Sequence, residues 1–281
     1  MIVARTRVGL KETLGRLRRE GKTLALVPTM GYLHEGHLAL VDEASEAADA
    51  TVVSIFVNPL QFGPDEDLDR YPRDEEGDLG RLKARGVDVV FLPDDEEMYP
   101  DGPPRITVSP GAMGRRLCGA FRPGHFAGVL TVVAKLFGLV RPDVAVFGRK
   151  DFQQAVLIRR MSVDLDQGVR VRTVPIVREA DGLAMSSRNA YLSPEERAQA
   201  SGLYRALREA YNRFQAGERR AGILLEVVRR ELALYPLLEI QYVEVVDPDT
   251  LDPVDPVPEG AVIAAAVFCG TTRLIDNVEL A

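Results

Sequence analysis

Thr23–Ala48, TLALVPTMGYLHEGHLALVDEASEAA, is the stretch whose reading decides the fold. Thr23–Val27 is a short apolar run, as expected of a strand buried on both faces, and Gly36–Ala48 repeats its apolar residues at helical spacing. A glycine-bearing turn joins the two, giving a strand, a turn and a helix. The same alternation recurs on either side. Strands are predicted over Thr51–Val57, Val87–Leu92, Val144–Phe147 and Arg170–Val177, with helices over Gly9–Glu20, Asp74–Arg85, Phe126–Val140 and Gln153–Leu165. Alternating β and α elements predict a mostly parallel sheet with helices on both faces and ligands at the carboxyl ends of the strands.

Beyond Arg178 the alternation stops. A polar, glycine-bearing loop leads to Ser193-Pro194-Glu195-Glu196, an N-cap followed by a proline at the first helical position and a glutamate three residues after the cap. A helix starts there and another is predicted near Ala221–Leu234. Ile240–Val246, Ala261–Phe268 and Thr271–Ile275 alternate like strands of a small antiparallel sheet. The Pro- and Asp-rich Asp247–Gly260 reads as a long surface connection. The fold class expected is therefore α/β: a Rossmann-like doubly wound parallel sheet over residues 1–178 and a smaller C-terminal α+β lid domain over 179–281.

Composition narrows the function. The 281 residues suit two domains, and 46% hydrophobic with 27% charged residues excludes disorder and collagen-like repeats. A net charge of −7 opposes broad attraction to nucleic acid or an anionic membrane, while small anions can still bind in a local basic pocket. The longest apolar-rich segment, Gly128–Val140, is interrupted by Lys135 and falls short of the ~20 residues that span a bilayer. Cys118 and Cys269 lack metal or redox spacing and read as small buried hydrophobes. With no apolar stretch in Met1–Arg7, the expected location is cytoplasmic.

Four clusters carry candidate chemistry. Two of the three histidines lie in Met30-Gly31-Tyr32-Leu33-His34-Glu35-Gly36-His37, directly after a strand. Backbone N–H groups and the helix dipole there outline a phosphate site, and both imidazoles, three residues apart on a first helical turn, reach one anion. The i, i+4 histidine pair of a zinc helix is missing. Gly148-Arg149-Lys150-Asp151-Phe152-Gln153-Gln154 follows another strand: glycine permits close backbone approach, Lys150 supplies a point charge, and Asp151 can cap the helix or accept a ribose hydroxyl. The alternative there is a solvated charge pair. Met185-Ser186-Ser187-Arg188-Asn189 reads equally as a mobile polyphosphate clamp or a hydrophilic linker. Asn58-Pro59-Leu60-Gln61-Phe62, with Gln154, offers amides for a hydroxyl or carboxylate, or else forms an exposed turn. The run Asp65-Glu66-Asp67-Leu68-Asp69 reads as a solvated loop.

Taken together and in order, these segments resemble the pantoate–β-alanine ligase family of the nucleotidylyltransferase superfamily. His34-Glu35-Gly36-His37 resembles the superfamily's His-x-Gly-His signature and Met185-Ser186-Ser187-Arg188 its Lys-Met-Ser-Lys-Ser counterpart. Val57–Phe62, Arg122-Pro123-Gly124-His125-Phe126 and Gly148-x-Lys150-Asp151-Phe152-Gln153-Gln154 are specific to the family. The resemblance implies that ATP adenylates pantoate with release of pyrophosphate, and that β-alanine then displaces AMP. It implies that Met30, Gly31, Tyr32, Leu33, His34, Glu35, Gly36 and His37 cradle ATP, with His37, His34 and Lys150 as catalytic groups. Gly148, Arg149, Lys150, Asp151, Val177, Met185, Ser186, Ser187 and Arg188 complete the nucleotide contacts. Gln61 and Gln154 would hold pantoate, with Asn58, Arg122 and His125 also on the substrate side. At Arg149 the family usually carries an acidic or amide side chain, so a backbone contact is expected there. Mg²⁺ is implied with ATP, without assigned ligands, and so is a homodimer. A transferase that keeps the nucleotide in its product, and a non-catalytic nucleotide-binding module, are the competing readings.

Overall fold

A computed structural model describes residues 1–64 and 66–281. The chain forms two compact units. The first comprises Met1–Arg115, Gly119–Arg149 and Leu157–Pro175, the second Arg116–Cys118, Lys150–Val156 and Ile176–Ala281. The second thus has its main part from Ile176 onward and also takes in two short excursions of the chain.

The first unit holds strands β1 (Ile2–Ala4), β2 (Leu24–Thr29), β3 (Ala50–Ile55), β4 (Val89–Phe91), β5 (Val144–Gly148) and β6 (Arg170–Val174) in one sheet of order β1-β4-β3-β2-β5-β6. Every pairing is parallel, as alternation predicted. The intervening helices are α1 (Arg7–Arg19), α2 (Glu35–Ala47), α3 (Glu75–Ala84), α4 (Asp95–Met98), α5 (Cys118–Phe121), α6 (His125–Val140) and α7 (Phe152–Asp164). α5 and α7 each run across the division between the units. Leu38, Val41 and Ala44 of α2 pack on Val27, Val53, Val144 and Val146, so the apolar stripe of one helix covers the centre of the sheet. Successive strands run β2, β3, β4 outward, then the chain crosses to β5 on the other side of β2. The strand order therefore reverses between β2 and β5, where open α/β sheets bind ligands.

The sheet departs from expectation at its two edges, β1 and β6. β1 was not read from the sequence, since three residues carry too little periodicity, yet Ile2, Val3 and Ala4 pair with Val89, Val90 and Phe91. β6 ends at Val174, one residue before Pro175, which has no N–H to give a ladder.

The second unit holds α8 (Pro194–Ala200), α9 (Gly202–Gln215), α10 (Ala221–Leu232) and an antiparallel sheet of β7 (Leu238–Val246), β8 (Ala261–Cys269) and β9 (Thr272–Leu280), in that order. The capping box stands as read: Ser193 Oγ accepts from Glu196 N at 3.3 Å, and Ser193 N donates to Glu196 Oε2 at 2.8 Å. Leu203, Leu207, Ala210 and Phe214 of α9 meet Leu224 and Val228 of α10 and Ile263, Ala265 and Val267 of β8 in one core. β8 is central and apolar along its length, as a strand covered on both faces must be.

Asp247–Gly260 is not a plain surface connection. Leu251 is fully buried, Val257 joins the core, and Val246 bridges Pro253. β9 also continues past Ile275 to Leu280, because Asp276 and Asn277, residues typical of turns, are buried within it. Cys118 and Cys269 are buried and form no disulfide. Among the described residues no helix is long and apolar enough to cross a membrane.

Candidate active site

In the first unit, the turn after β2 is set from α3. Gly31 and Tyr32 both have positive φ, +82° and +51°. Asp78, 1% exposed, accepts Tyr32 N and Leu33 N at 2.7 Å each, and Thr29 Oγ1 accepts Gly31 N at 3.2 Å. Only glycine fits the first of these positions without strain, and the two bonds to Asp78 hold the tyrosine in the second. Burial pushes the Asp78 carboxyl above its ordinary value, against the two backbone N–H groups and Arg81, which act to lower it.

His34 and His37 are brought together, with ring centroids 4.1 Å apart. His34 is the N-cap of α2, in extended conformation rather than on the first helical turn, and His37 is N3. Gly36 N donates to His34 Nδ1 at 3.1 Å and His34 N to His37 Nδ1 at 3.3 Å, a capping box built from imidazoles. A nitrogen accepting an N–H keeps its lone pair, so the hydrogen-bond network assigns the proton of each neutral ring to Nε2. The expected backbone cradle is corrected by this arrangement. The N–H groups of Gly31, Tyr32, Leu33, His34 and Gly36 are all taken by protein acceptors. Nε2 is thus the proton-bearing nitrogen of both rings.

Past β3, Asn58 is 1% exposed and not part of an exposed turn. Its Nδ2 donates to Gln61 Oε1 and Gly128 O, at 3.1 and 3.2 Å; its Oδ1 accepts from Tyr99 OH and Leu60 N, at 2.8 and 3.4 Å. That is the full capacity of an amide, so Asn58 stands behind Gln61 and orients it. Gln61 Nε2 lies 3.2 Å from Met30 Sδ, which joins the ends of β2 and β3. α6 comes so near that a Cβ on Gly128 would run into Leu60 O and lie 2.5 Å from Leu60 C and 2.8 Å from Gln61 N. Gly128→Ala is therefore expected to lower stability by about 1–3 kcal/mol, the usual cost of forced overpacking. An unchanged midpoint in urea unfolding would show that the turn absorbs the methyl group.

Arg122 and His125 close on the same turn. Arg122 Nε and Nη2 grip the Glu66 carboxylate at 2.6 and 2.5 Å, and Nη1 lies 3.0 Å from His125 Nε2. His125 Nδ1 is 2.7 Å from Gln61 O. The carbonyl can only accept and the guanidinium can only donate, so this ring carries its proton on Nδ1, opposite to the other two. Burial acts to raise the Glu66 carboxyl, but Arg122 prevails and holds it below its ordinary value. Glu66 is thus tied into the site, not a member of a solvated loop; Asp65, in the same run, lies outside the described residues. At the end of β5, a Cβ on Gly148 would meet only Leu40 Cδ2, at 4.0 Å. Arg149 beside it is exposed.

The second unit carries the remaining candidates. Lys150 and Asp151 lie in the 3₁₀ turn Arg149–Asp151, and Gln154 is half-buried in the first turns of α7. Val177 O accepts Met185 N at 3.0 Å and Arg178 bridges Ala184, so the serine segment leaves from a hairpin. Ser186 Oγ accepts Arg188 N at 3.3 Å, Ser187 is buried, and Arg188 is partly buried. Asn189 Nδ2 donates to Glu179 Oε1 at 2.9 Å and Ala184 O at 3.1 Å, which makes the segment an ordered turn rather than a linker.

Sequence reasoning missed Asp78, Tyr99, Glu66, Gly128, Arg178, Asp276 and Asn277. One signal was available for Asp78: it falls four residues before buried Leu82, an acid on the apolar stripe of α3. The others act through partners far away in sequence.

This fold and these strand-end groups define a class first: a doubly wound α/β protein with its polar machinery at the carboxyl ends of β2, β3 and β5, beside a topological switch point. The chain belongs to the pantoate–β-alanine ligase family, whose model matches residues 2–279. It is 52% identical over 278 residues to a pantothenate synthetase of Thermoanaerobacter pseudethanolicus, covering 99% of this chain and 98% of the relative. Identity is 53% over 272 residues to pantothenate synthetase 1 of Bradyrhizobium diazoefficiens, covering 96% and 95%. The crystal structure of pantothenate synthetase from Thermus thermophilus matches with a TM-score of 0.94 at 47% identity, over 100% of this chain and 99% of that one. Pantoate-beta-alanine ligase from Francisella tularensis, complexed with beta-gamma ATP and beta-alanine, matches with a TM-score of 0.83 at 31% identity, over 100% and 98%.

Proposed function

We propose that the chain condenses (R)-pantoate with β-alanine in two steps through a pantoyl adenylate, releasing pyrophosphate and then AMP. A pantoate carboxylate oxygen attacks the α-phosphorus of ATP; the new P–O bond forms as the bond to pyrophosphate breaks. The amine of β-alanine then attacks the acyl carbon, a C–N bond forms, AMP leaves with the C–O electron pair, and the amine gives up a proton. Neither step needs an enzyme nucleophile, only positioning and stabilisation of developing charge.

The observation that carries this reading is the imidazole capping box, which commits both Nδ1 atoms to the backbone and makes each ring a donor through Nε2. His34 and His37 would direct those donors at the phosphates, with the surrounding Met30–His37 turn shaped to the nucleotide. Gln61, held by Asn58 and by the Glu66, Arg122 and His125 chain, would bind pantoate and lie near β-alanine. Gln154 would bind pantoate as well. Gly148 supports a close nucleotide contact: neither its φ nor its neighbours require glycine, so the open space beside it suits a ligand. Lys150 would neutralise phosphate charge, and Arg149, Asp151, Val177 and Met185 to Arg188 would complete the nucleotide contacts.

Mg²⁺ fits as an ion carried in on ATP. Among the described residues no group of three His, Cys, Asp or Glu side chains gathers to hold a metal, and Mg²⁺ typically takes one or two carboxylates, waters and substrate phosphates. The protein is proposed to work as a cytoplasmic homodimer without nucleic acid. The test is AMP release with each substrate omitted in turn. AMP and an amide product that require ATP, pantoate and β-alanine are expected; pyrophosphate release indifferent to pantoate would overturn the reading. A product retaining the nucleotide would favour a transferase instead.

A further inference from the structure

Two adjacent residues of β9 tie together segments of the second unit that lie far apart in sequence. Successive strand residues face opposite ways, and Asp276 and Asn277 use this to reach different partners. Asp276 is 3% exposed and takes a two-pronged grip from Arg178, Nη1 to Oδ2 at 2.6 Å and Nη2 to Oδ1 at 2.9 Å. Arg178 stacks 4.0 Å over the Tyr204 ring and also donates to Gly182 O at 3.0 Å. A Cβ on Gly182, at φ +96°, would run into that same ring. The guanidinium is thus fixed from three sides, at the root of the hairpin whose returning arm leads to Met185–Arg188.

Asn277, also buried, donates from Nδ2 to the backbone carbonyl of Lys150 at 3.2 Å, across 127 positions of sequence. Its own N–H donates to Asp276 Oδ1 at 2.8 Å, so one carboxylate oxygen serves both Arg178 and the residue that holds Lys150. Burial raises the Asp276 carboxyl, and the charges of Arg178 and Lys150 act against that rise. The dipeptide therefore bonds to the backbone of Lys150 in one motif and to the guanidinium of Arg178, which lies seven residues before the other.

We propose that Asp276 and Asn277 are positioning residues of the ligase reaction: through Lys150 O on one side and the Arg178 hairpin on the other, they set Lys150 and the Met185–Arg188 segment in one fixed relation. This rests on the reading of Lys150 and Ser186 to Arg188 as nucleotide contacts. Asn277 touches no reacting atom in this account; it acts through Lys150.

A double-mutant cycle separates positioning from plain structural support. Pantoate-dependent exchange of pyrophosphate into ATP is measured for wild type, Asn277→Ala, Lys150→Ala and the double variant, with thermal midpoints in parallel. Asn277→Ala is expected to cost about 10-fold in kcat/KM for ATP in the wild-type background and less than about 2-fold once Lys150 is gone. An equal factor in both backgrounds, or no loss in either, overturns the inference while leaving the role of Lys150 intact. Full activity of Lys150→Ala overturns the reading beneath it, and the inference with it. If Asn277→Ala does not fold, the near-isosteric Asn277→Leu, which keeps volume but has no donor, takes its place with the same expected outcomes.

Discussion

Arg178→Ala is expected to destabilise the protein by about 3–5 kcal/mol, the usual consequence of removing one partner of a buried ion pair. The Asp276 side chain is 2% exposed and Arg178 is its two-pronged counter-charge, so the variant leaves a carboxylate enclosed with Asn277 N–H and the more distant Lys150 charge for compensation. The deficit is expected to depend on pH. Burial already holds the folded Asp276 carboxyl above its unfolded value, so the folded state keeps its proton to higher pH. Stability therefore falls as pH rises through the interval between the two values. Removing the guanidinium extends that interval upward. Urea unfolding should show a smaller difference between variant and wild type at pH 5 than at pH 8; equal differences would mean that Asp276 is not the group left exposed to the loss. Arg178→Lys keeps the charge but not the fork, and should fall between the two.

His37→Asn is expected to cut pantoate-dependent AMP formation by about 10²-fold or more, the scale seen when a donor aimed at developing charge is lost. Asparagine is chosen because its Oδ1 can stand where Nδ1 accepts from His34 N, so the start of α2 stays capped while the Nε2 donor disappears. The thermal midpoint should then remain close to wild type. His37→Ala removes acceptor and donor together, and should lose activity and some helix stability. Wild-type turnover in His37→Asn would remove this imidazole from the chemistry, and a large fall in midpoint would assign the loss to the cap instead.

The parts of the molecule legible in sequence are those whose information is local. β2, β3 and β5 are apolar runs bounded by turns, and α2, α6 and α10 repeat their apolar residues at helical spacing, so a short window suffices. β1 escapes because three residues show no period, and the far half of β9 because Asp276-Asn277 has the composition of a turn until Arg178, 98 positions earlier, is seen beside it. The site divides in the same way. His34 and His37 are neighbours in the chain and could be paired on spacing alone. Asp78 reaches the Gly31–Leu33 turn from 45 residues away and Gly128 lies against a turn about 70 residues before it, so although an acid on the apolar stripe of α3 marks the first as unusual, no local pattern names the partner of either. The mistaken expectation of open backbone donors has the same origin: the acceptor that fills two of them comes from a different helix.

The opposed hydrogen-bonding of the imidazoles has a spectroscopic consequence. With only three histidines in the chain, nitrogen-15 labelling of that residue type should give two resonance sets with the Nε2–H pattern and one with the Nδ1–H pattern. The molecule carries its own pair of reporters. A ligand touching the β2 end perturbs the majority class, and one that disturbs the Gln61 turn perturbs the lone ring. The order in which substrates load could then be followed without any added probe.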